Sequence, residues 1–297
     1  MIGLELRDQA AVAVGVDDRG GVFARAEQPA QGDLAAAALD VLERVAVTGA
    51  LEAPGVASLT PASEAVGRTL RSLNQRYAGA GAPVDIRVVT SGTAAAVAEA
   101  WVGAARDTRD VVYLAVADHV SAGIIGGGSP VVGSHGRAAS VAWLALNPVE
   151  REDYRRAGCL EAEVAAAGIV RRLVWRIKAG DRSRIQDLVG NDLSAITIGH
   201  VLEAAQAGDG VAISVMRDTA RYAGMAAANL VVMADPQTLV VGGIIASAAE
   251  LLLDSVKAEM RRRLPEPMMT ALTIVPALLG TDAAAIGAAR LGAGALR

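Results

Sequence analysis

The sequence predicts an α/β protein with mixed sheets, divided into two lobes. Three observations carry this. Short apolar runs rich in valine and alanine alternate with helix-length segments along the whole chain, the pattern of strands covered by helices. The first three runs are joined by turns and the later ones by helices, which calls for sheets of mixed direction. The chain has 297 residues, more than one hydrophobic core usually organises.

In chain order, residues 2–6, 11–16 and 22–26 read as strands, with Asp17-Asp18-Arg19-Gly20-Gly21 as the turn between the second and third. A helix spans 33–47 with Asp33 near its start, and Pro54-Gly55 marks a turn. A second helix spans 61–78 and stops at Gly79 to Pro83. Strand 84–89 and helix 93–105 follow, then strands 111–117 and 121–126, closed by the turn Gly126-Gly127-Gly128. Extended segments are expected near 129–132 and 140–146. From Gly158 the pattern turns helical, with helices at 159–178, 193–206 and 209–233. Strand 237–241 runs into Gly242-Gly243; helix 245–262, strand 271–275 and helix 281–296 complete the chain. No repeat of 20–50 residues is visible.

Composition narrows the function. The chain is 53% hydrophobic and 20% charged, which is globular. Aromatics make up 3%, so stacking on bases or sugar rings is poorly supplied, and a net charge of −4 offers no general attraction to nucleic acid. Cys159 is the only cysteine, which excludes an intramolecular disulfide and points to a reducing cytoplasm. The start Met1-Ile2-Gly3-Leu4-Glu5 lacks a signal-peptide pattern, and the apolar stretch near Val231 is cut by Asp235 and Pro236, so no membrane span is expected.

Three segments carry a resemblance: GCLEAEVAAAGIVRR at 158–172, GDGVAISVMRDTARYAGMAAANLVVMADPQTLVVGG at 208–243 and ALLGTDAAAIGAARLGAGAL at 277–296. With the N-terminal IGLELRDQAAVAVGVDDRG, they resemble the ROK family (repressor, open reading frame, kinase) of sugar kinases and sugar-responsive repressors. The resemblance covers almost the whole chain, although the stretch 48–66 is shorter than the family pattern. It implies a two-lobe actin-like ATPase (ribonuclease H-like) fold with a central cleft. The lobes are expected at 1–108 plus 281–297 and at 109–280, usually in a homodimer. Family repressors carry an N-terminal winged helix–turn–helix. This chain starts at the first strand, so no DNA-binding module is expected in it.

The chemical motifs depart from that pattern. The family's first phosphate motif is an acid followed by a Gly-Gly turn, because backbone N–H groups must come close to phosphate. The acid survives as Glu5, but the turn reads Arg7-Asp8. The second phosphate loop, glycine-rich in the family, reads Ala117-Asp118-His119-Val120-Ser121-Ala122-Gly123. A carboxylate about 4 Å from phosphate costs about 4 kcal/mol at an effective dielectric of 20, which Mg²⁺ could offset. Where the family places the aspartate that accepts the sugar proton stands Ser91, in Thr90-Ser91-Gly92-Thr93. Losing a positioned base typically costs about 10²–10⁴-fold.

In the sugar and zinc motif Ser140 replaces the sugar-binding glutamate and Trp143 the zinc histidine, within GSHGRAASVAW. Residues 147–157 contain no cysteine, and Cys159 alone cannot supply the roughly four ligands a structural zinc takes. No metal site is therefore expected. Glu161 is the one family sugar contact retained; its plain alternative is a surface helix glutamate. The adenosine segment keeps Gly242 and Gly243 but has Ile244 as its third residue.

The ligand-binding candidates are Glu161, Ser91, Ser140 and His135, and the cofactor candidates Glu5, Gly242 and Gly243. An improvised cluster of Asp118, His119 and His135 is a further alternative, while the basic runs 151–156, 171–184 and 261–263 read as solvated faces. The expectation is a degenerate ROK-type protein without catalysis, its cleft serving a small carbohydrate or a regulatory partner. No cofactor is expected under that reading. The alternatives are an active ATP- and Mg²⁺-dependent sugar kinase with rewired loops, and a structural homodimer with a plugged cleft.

Overall fold

The computed structural model describes residues 1–46, 53–78 and 86–294. Strands β1 (Ile2–Leu6), β2 (Ala10–Val16) and β3 (Val22–Pro29) form an antiparallel meander. Helix α1 (Leu34–Val45) follows, capped by Asp33, whose carboxylate accepts the Ala35 and Ala36 N–H groups. Strand β4 (Gly55–Ser58) lies parallel to β1, helix α2 (Glu64–Ala78) covers the sheet, and β5 (Val88–Thr90) adds parallel to β4. The first sheet runs β3-β2-β1-β4-β5.

Helix α3 (Ser91–Trp101) leads to the second sheet, which begins with β6 (Val111–Val116), β7 (Val120–Gly126) and the short β8 (Ser129–Pro130). The helical region then comprises α4 (Glu152–Ala157), α5 (Cys159–Val164), α6 (Ala166–Lys178), α7 (Ile185–Leu188), α8 (Ile198–Gln206) and α9 (Gly210–Ala234). Strand β9 (Thr238–Gly243), helices α10 (Ile244–Ser247), α11 (Ala249–Arg261) and α12 (Glu266–Ala271), strand β10 (Thr273–Pro276) and helix α13 (Ala283–Gly292) complete the fold. The second sheet runs β10-β9-β6-β7-β8, with β9 parallel to both β6 and β10. Both sheets are mixed, as the linkers require.

Each sheet carries its own core. Leu4, Leu6, Val41, Leu42 and Leu73 pack on the first; Leu114, Leu173, Met216, Leu239 and Leu252 pack on the second. Burying each such leucine contributes about 2 kcal/mol. Between the sheets lie α3 and α13. Ser91 to Glu99 are all buried, and so are Ala283 to Ala289. Helices apolar on every side belong in the interior, and the alanine content lets these two approach closely. A Cβ on Gly287 would lie 1.7 Å from the Ala94 carbonyl oxygen, and one on Gly55 would lie 1.7 Å from that of Ala288.

Several expectations are corrected. Pro54-Gly55 is not a free turn: Gly55 opens β4, because the small Val56-Ala57 run fits beside β1 under α13. Residues 140–146 form no strand; Val141–Trp143 make a single 3-10 turn. Helix 159–178 is split at Ala165 (φ −67°, ψ 159°), and the N–H of the next residue, Ala166, bonds instead to the Ala117 carbonyl in the β6–β7 turn. Helix 245–262 is likewise broken at Ala248 (φ −118°, ψ 39°). Helices α4, α7 and α12 were not expected; they are too short for a periodic signal. The stop at Gly79 to Pro83, residues 84–85, Val47 and residues 295–296 lie outside the described residues.

Candidate functional site

The carboxyl ends of β1, β4, β5, β6 and β9 converge on a cleft of about 880 Å³ between the sheets. Ligand clefts of open α/β sheets form at this end because loops and helix N-termini gather there. The first sheet supplies Glu5, Arg7, Asp8 and Leu59, and α3 supplies Ser91. The second sheet supplies Tyr113, Asp118, His119 and Gly243, while Thr281 comes from the 3-10 turn before α13 and Ala283 and Ala284 from the start of α13.

Ser91 is the first residue of α3, capped by Thr90, whose Oγ1 accepts the Thr93 N–H at 3.1 Å. It is 4% exposed, and its Oγ has no hydrogen-bond partner among the described residues. A hydroxyl there cannot serve as a base near neutral pH.

Glu5, 6% exposed at the end of β1, is already paired. The Arg7 guanidinium donates to its Oε2 at 2.9 Å and, through Nη2, to the Thr281 carbonyl at 2.8 Å. Burial pushes the neighbouring Tyr113 phenol up, and the charges of Glu99 and Glu5 add to it.

The β1–β2 turn and the β6–β7 turn touch across the cleft. His119 Nε2 lies 2.9 Å from Asp8 Oδ2, and its Nδ1 lies 3.1 Å from Glu161 Oε1 on α5. The second Glu161 oxygen accepts the Val120 N–H at 3.1 Å. The hydrogen bond to Glu161 pushes the imidazole up to about 9, against the opposing effect of burial and with further help from Asp8. His119 is therefore charged at neutral pH.

The candidates scatter. Ser91, Glu5 and Gly243 line the cleft, and Glu161 reaches its wall through His119. Gly242 packs on Tyr113, and Gly243 adopts φ +63° against the Val116 carbonyl. Ser140 is exposed and donates to the Arg137 carbonyl; His135 is exposed in the 133–136 turn; neither lines the cleft. His135 therefore does not join Asp118 and His119. The third histidine, His200, closes a capping box with Thr197 at the start of α8.

A second polar cluster surrounds Glu163, also on α5, which the sequence reading missed. Tyr154 and Arg151 both reach its Oε1, and Arg172 Nη1 lies 3.1 Å from its Oε2. Arg172 donates further to Thr219 Oγ1 at 2.6 Å. Burial lowers the Arg172 pKa, opposed by Glu163, and burial pushes Tyr154 up, reinforced by its hydrogen bond to Glu163. Cys159 packs beside Tyr154 and Ala162 as a small apolar group. Among the described residues no group of three or more His, Cys, Asp or Glu side chains could hold a metal ion.

A nucleotide triphosphate fits these residues poorly. Where close-approach turns would cradle phosphate stand the Glu5–Arg7 and Asp8–His119 pairs, and Ile244 is buried directly after Gly243.

Comparison with known proteins places this geometry. The ROK family model matches residues 79–294. The chain is 30% identical over 181 residues to the DNA-binding transcriptional dual regulator NagC of Escherichia coli K12, a match covering 61% of this chain and 43% of that protein. It is 31% identical over 258 residues to the bifunctional enzyme NanE/NanK of Brucella melitensis, covering 84% of this chain and 43% of the enzyme. The chain thus spans less than half the length of both relatives. A ROK glucokinase from Streptomyces griseus, solved with glucose and AMPPNP, superposes with a TM-score of 0.80 over 98% of each chain at 23% identity. The two-lobe actin-like ATPase fold follows from that superposition.

Proposed function

The chain belongs to the ROK family of sugar kinases and sugar-responsive regulators, and on that premise we propose that it is a carbohydrate-binding member that does not transfer phosphate. It acts as a sensor or regulatory partner, as a homodimer in the cytoplasm, its lobes being 1–108 with 281–297 and 109–280. One observation carries the reading: the position of the proton acceptor holds Ser91, whose buried Oγ touches no acid or imidazole among the described residues. Of the carboxylates that line the cleft, Glu5 and Asp8 are engaged by Arg7 and His119. Glu161, the carboxylate the family motif assigns to sugar, borders the cleft. The cleft keeps its volume, which speaks against a plugged, purely structural interior.

A second reading, an ATP-dependent sugar kinase with rewired loops, is favoured by the likeness to NanE/NanK. Calorimetry with ATP and Mg²⁺, using hexoses and N-acetylhexosamines as co-ligands and a coupled assay for ADP, separates the two. The sensor reading expects heat from a sugar, none from ATP and no sugar-dependent ADP. Sugar-dependent ADP release that weakens in Glu161→Ala returns the chain to the kinases; silence from every sugar removes the carbohydrate reading.

A further inference from the structure

The turn after β1 and the turn after β6 belong to different sheets, and one side chain, His119, joins them. Its two ring nitrogens face carboxylates from two directions: Asp8 at 2.9 Å from the first sheet, and Glu161 at 3.1 Å from α5. A neutral imidazole carries one N–H and can donate to only one of these acceptors; the imidazolium donates to both. The surrounding charges fit a cation. Asp118 precedes His119 in its own turn and lines the same cleft, while Arg7, the guanidinium among the described residues of its lining, is turned onto Glu5 and the Thr281 carbonyl. Glu161 is also held by the Val120 N–H, so His119 and Val120 together fix both of its oxygens.

We propose that His119 is a positioning residue: as the imidazolium it draws the two turns together across the cleft and aims Glu161, so that this cleft is closed by a proton instead of by a bound nucleotide. The inference goes beyond the carbohydrate reading and stands whether or not a sugar binds. The elevated titration of His119 sets where the closure gives way, on the alkaline side of neutrality near pH 9.

Fluorophores on cysteines introduced at Asp40 on α1 and Arg262 after α11, both exposed, report the distance between the halves in a Cys159→Ala background. In the parent the distance is short at pH 7 and lengthens as pH rises through about 9. In His119→Ala it is long at pH 7 and does not respond to pH. In Asp8→Asn, which keeps the Glu161 contact, the midpoint moves to lower pH. Equal distances in parent and His119→Ala at pH 7, or a pH response that survives in His119→Ala, overturns the proposal. Should His119→Ala fail to fold by circular dichroism, Asp8→Asn decides: an unmoved midpoint overturns it.

Discussion

Glu161 and Glu163 stand two residues apart on α5 and face opposite surroundings. The Glu163 side chain is 4% exposed, enclosed by Arg151, Arg172 and Tyr154; that of Glu161 is 18% exposed and meets an imidazole at the rim of the cleft. Around Glu163 the charges are paired, although Arg172 Nε has no hydrogen-bond partner among the described residues, and none of the partners changes charge near neutral pH. Around Glu161 the partner is an imidazole, whose charge is lost as pH rises through about 9. The same acid on the same turn of helix is thus a fixed structural member on one face and an adjustable contact on the other. Burial and the identity of the partner decide which.

The largest effect should come from Glu163→Ala. It strands Arg172 and Tyr154 in the interior, and breaking a buried pair from one side costs about 3–5 kcal/mol. Urea denaturation should show the midpoint falling with the m-value unchanged. A loss near that of an exposed pair, under about 1 kcal/mol, would erase the contrast between the two faces. A third carboxylate sharpens it. Glu99 on α3 is fully buried yet has no cation partner among the described residues; it accepts the Ala104, Leu278 and Leu279 N–H groups at 2.7–3.0 Å. Glu99→Ala leaves those donors unpaired, at about 2–3 kcal/mol, read from the same titration.

The third effect is a pH dependence. The folded His119 pKa lies above its unfolded value of 6.5, so its stabilisation is complete below that value and lost as pH rises through about 9. Melting temperatures between pH 6 and pH 9.5 should fall less steeply in His119→Ala than in the parent. Parallel curves would place the imidazole outside the fold's energetics. The smallest effect belongs to Ser91→Ala. The Oγ forms no hydrogen bond among the described residues, so removing it should change stability by less than about 1 kcal/mol, with a gain as the expected sign. A large loss would mean that the hydroxyl has a partner after all.

The scaffold was legible because it follows from periodicity. The first three strands, α9 and the glycine turn after β7 stand within a few residues of where the pattern puts them. Strand β4 was not legible: four small residues after a proline carry no alternation, and only the neighbouring β1 makes them a strand. The carboxylate expected at the strand-to-helix corner came from the resemblance; the place of Ser91 at that corner was legible, since an apolar strand runs there into an alanine-rich helix. The Asp8–His119–Glu161 bridge was not, because its members are more than 40 residues apart and each looks like ordinary turn or helix chemistry alone. The one available signal was that turns expected to be glycine-rich carried opposite ionisable types. The Glu163 cluster was hidden because its partners Arg151, Tyr154 and Arg172 sit in two basic runs that read as solvated faces.

The backbone contact between α3, α13 and the first sheet has a consequence for how this protein can change over time. At Gly287 and Gly55 there is no room for a single added carbon, so the seam joining the halves is closed to innovation. The turns at residues 7–9, 118–119 and 280–281 instead line the cleft, where side chain meets side chain beside open volume. Variation in such a molecule is channelled to the rim of its cleft. The same skeleton can therefore lose one chemistry and acquire another without passing through an unfolded ancestor.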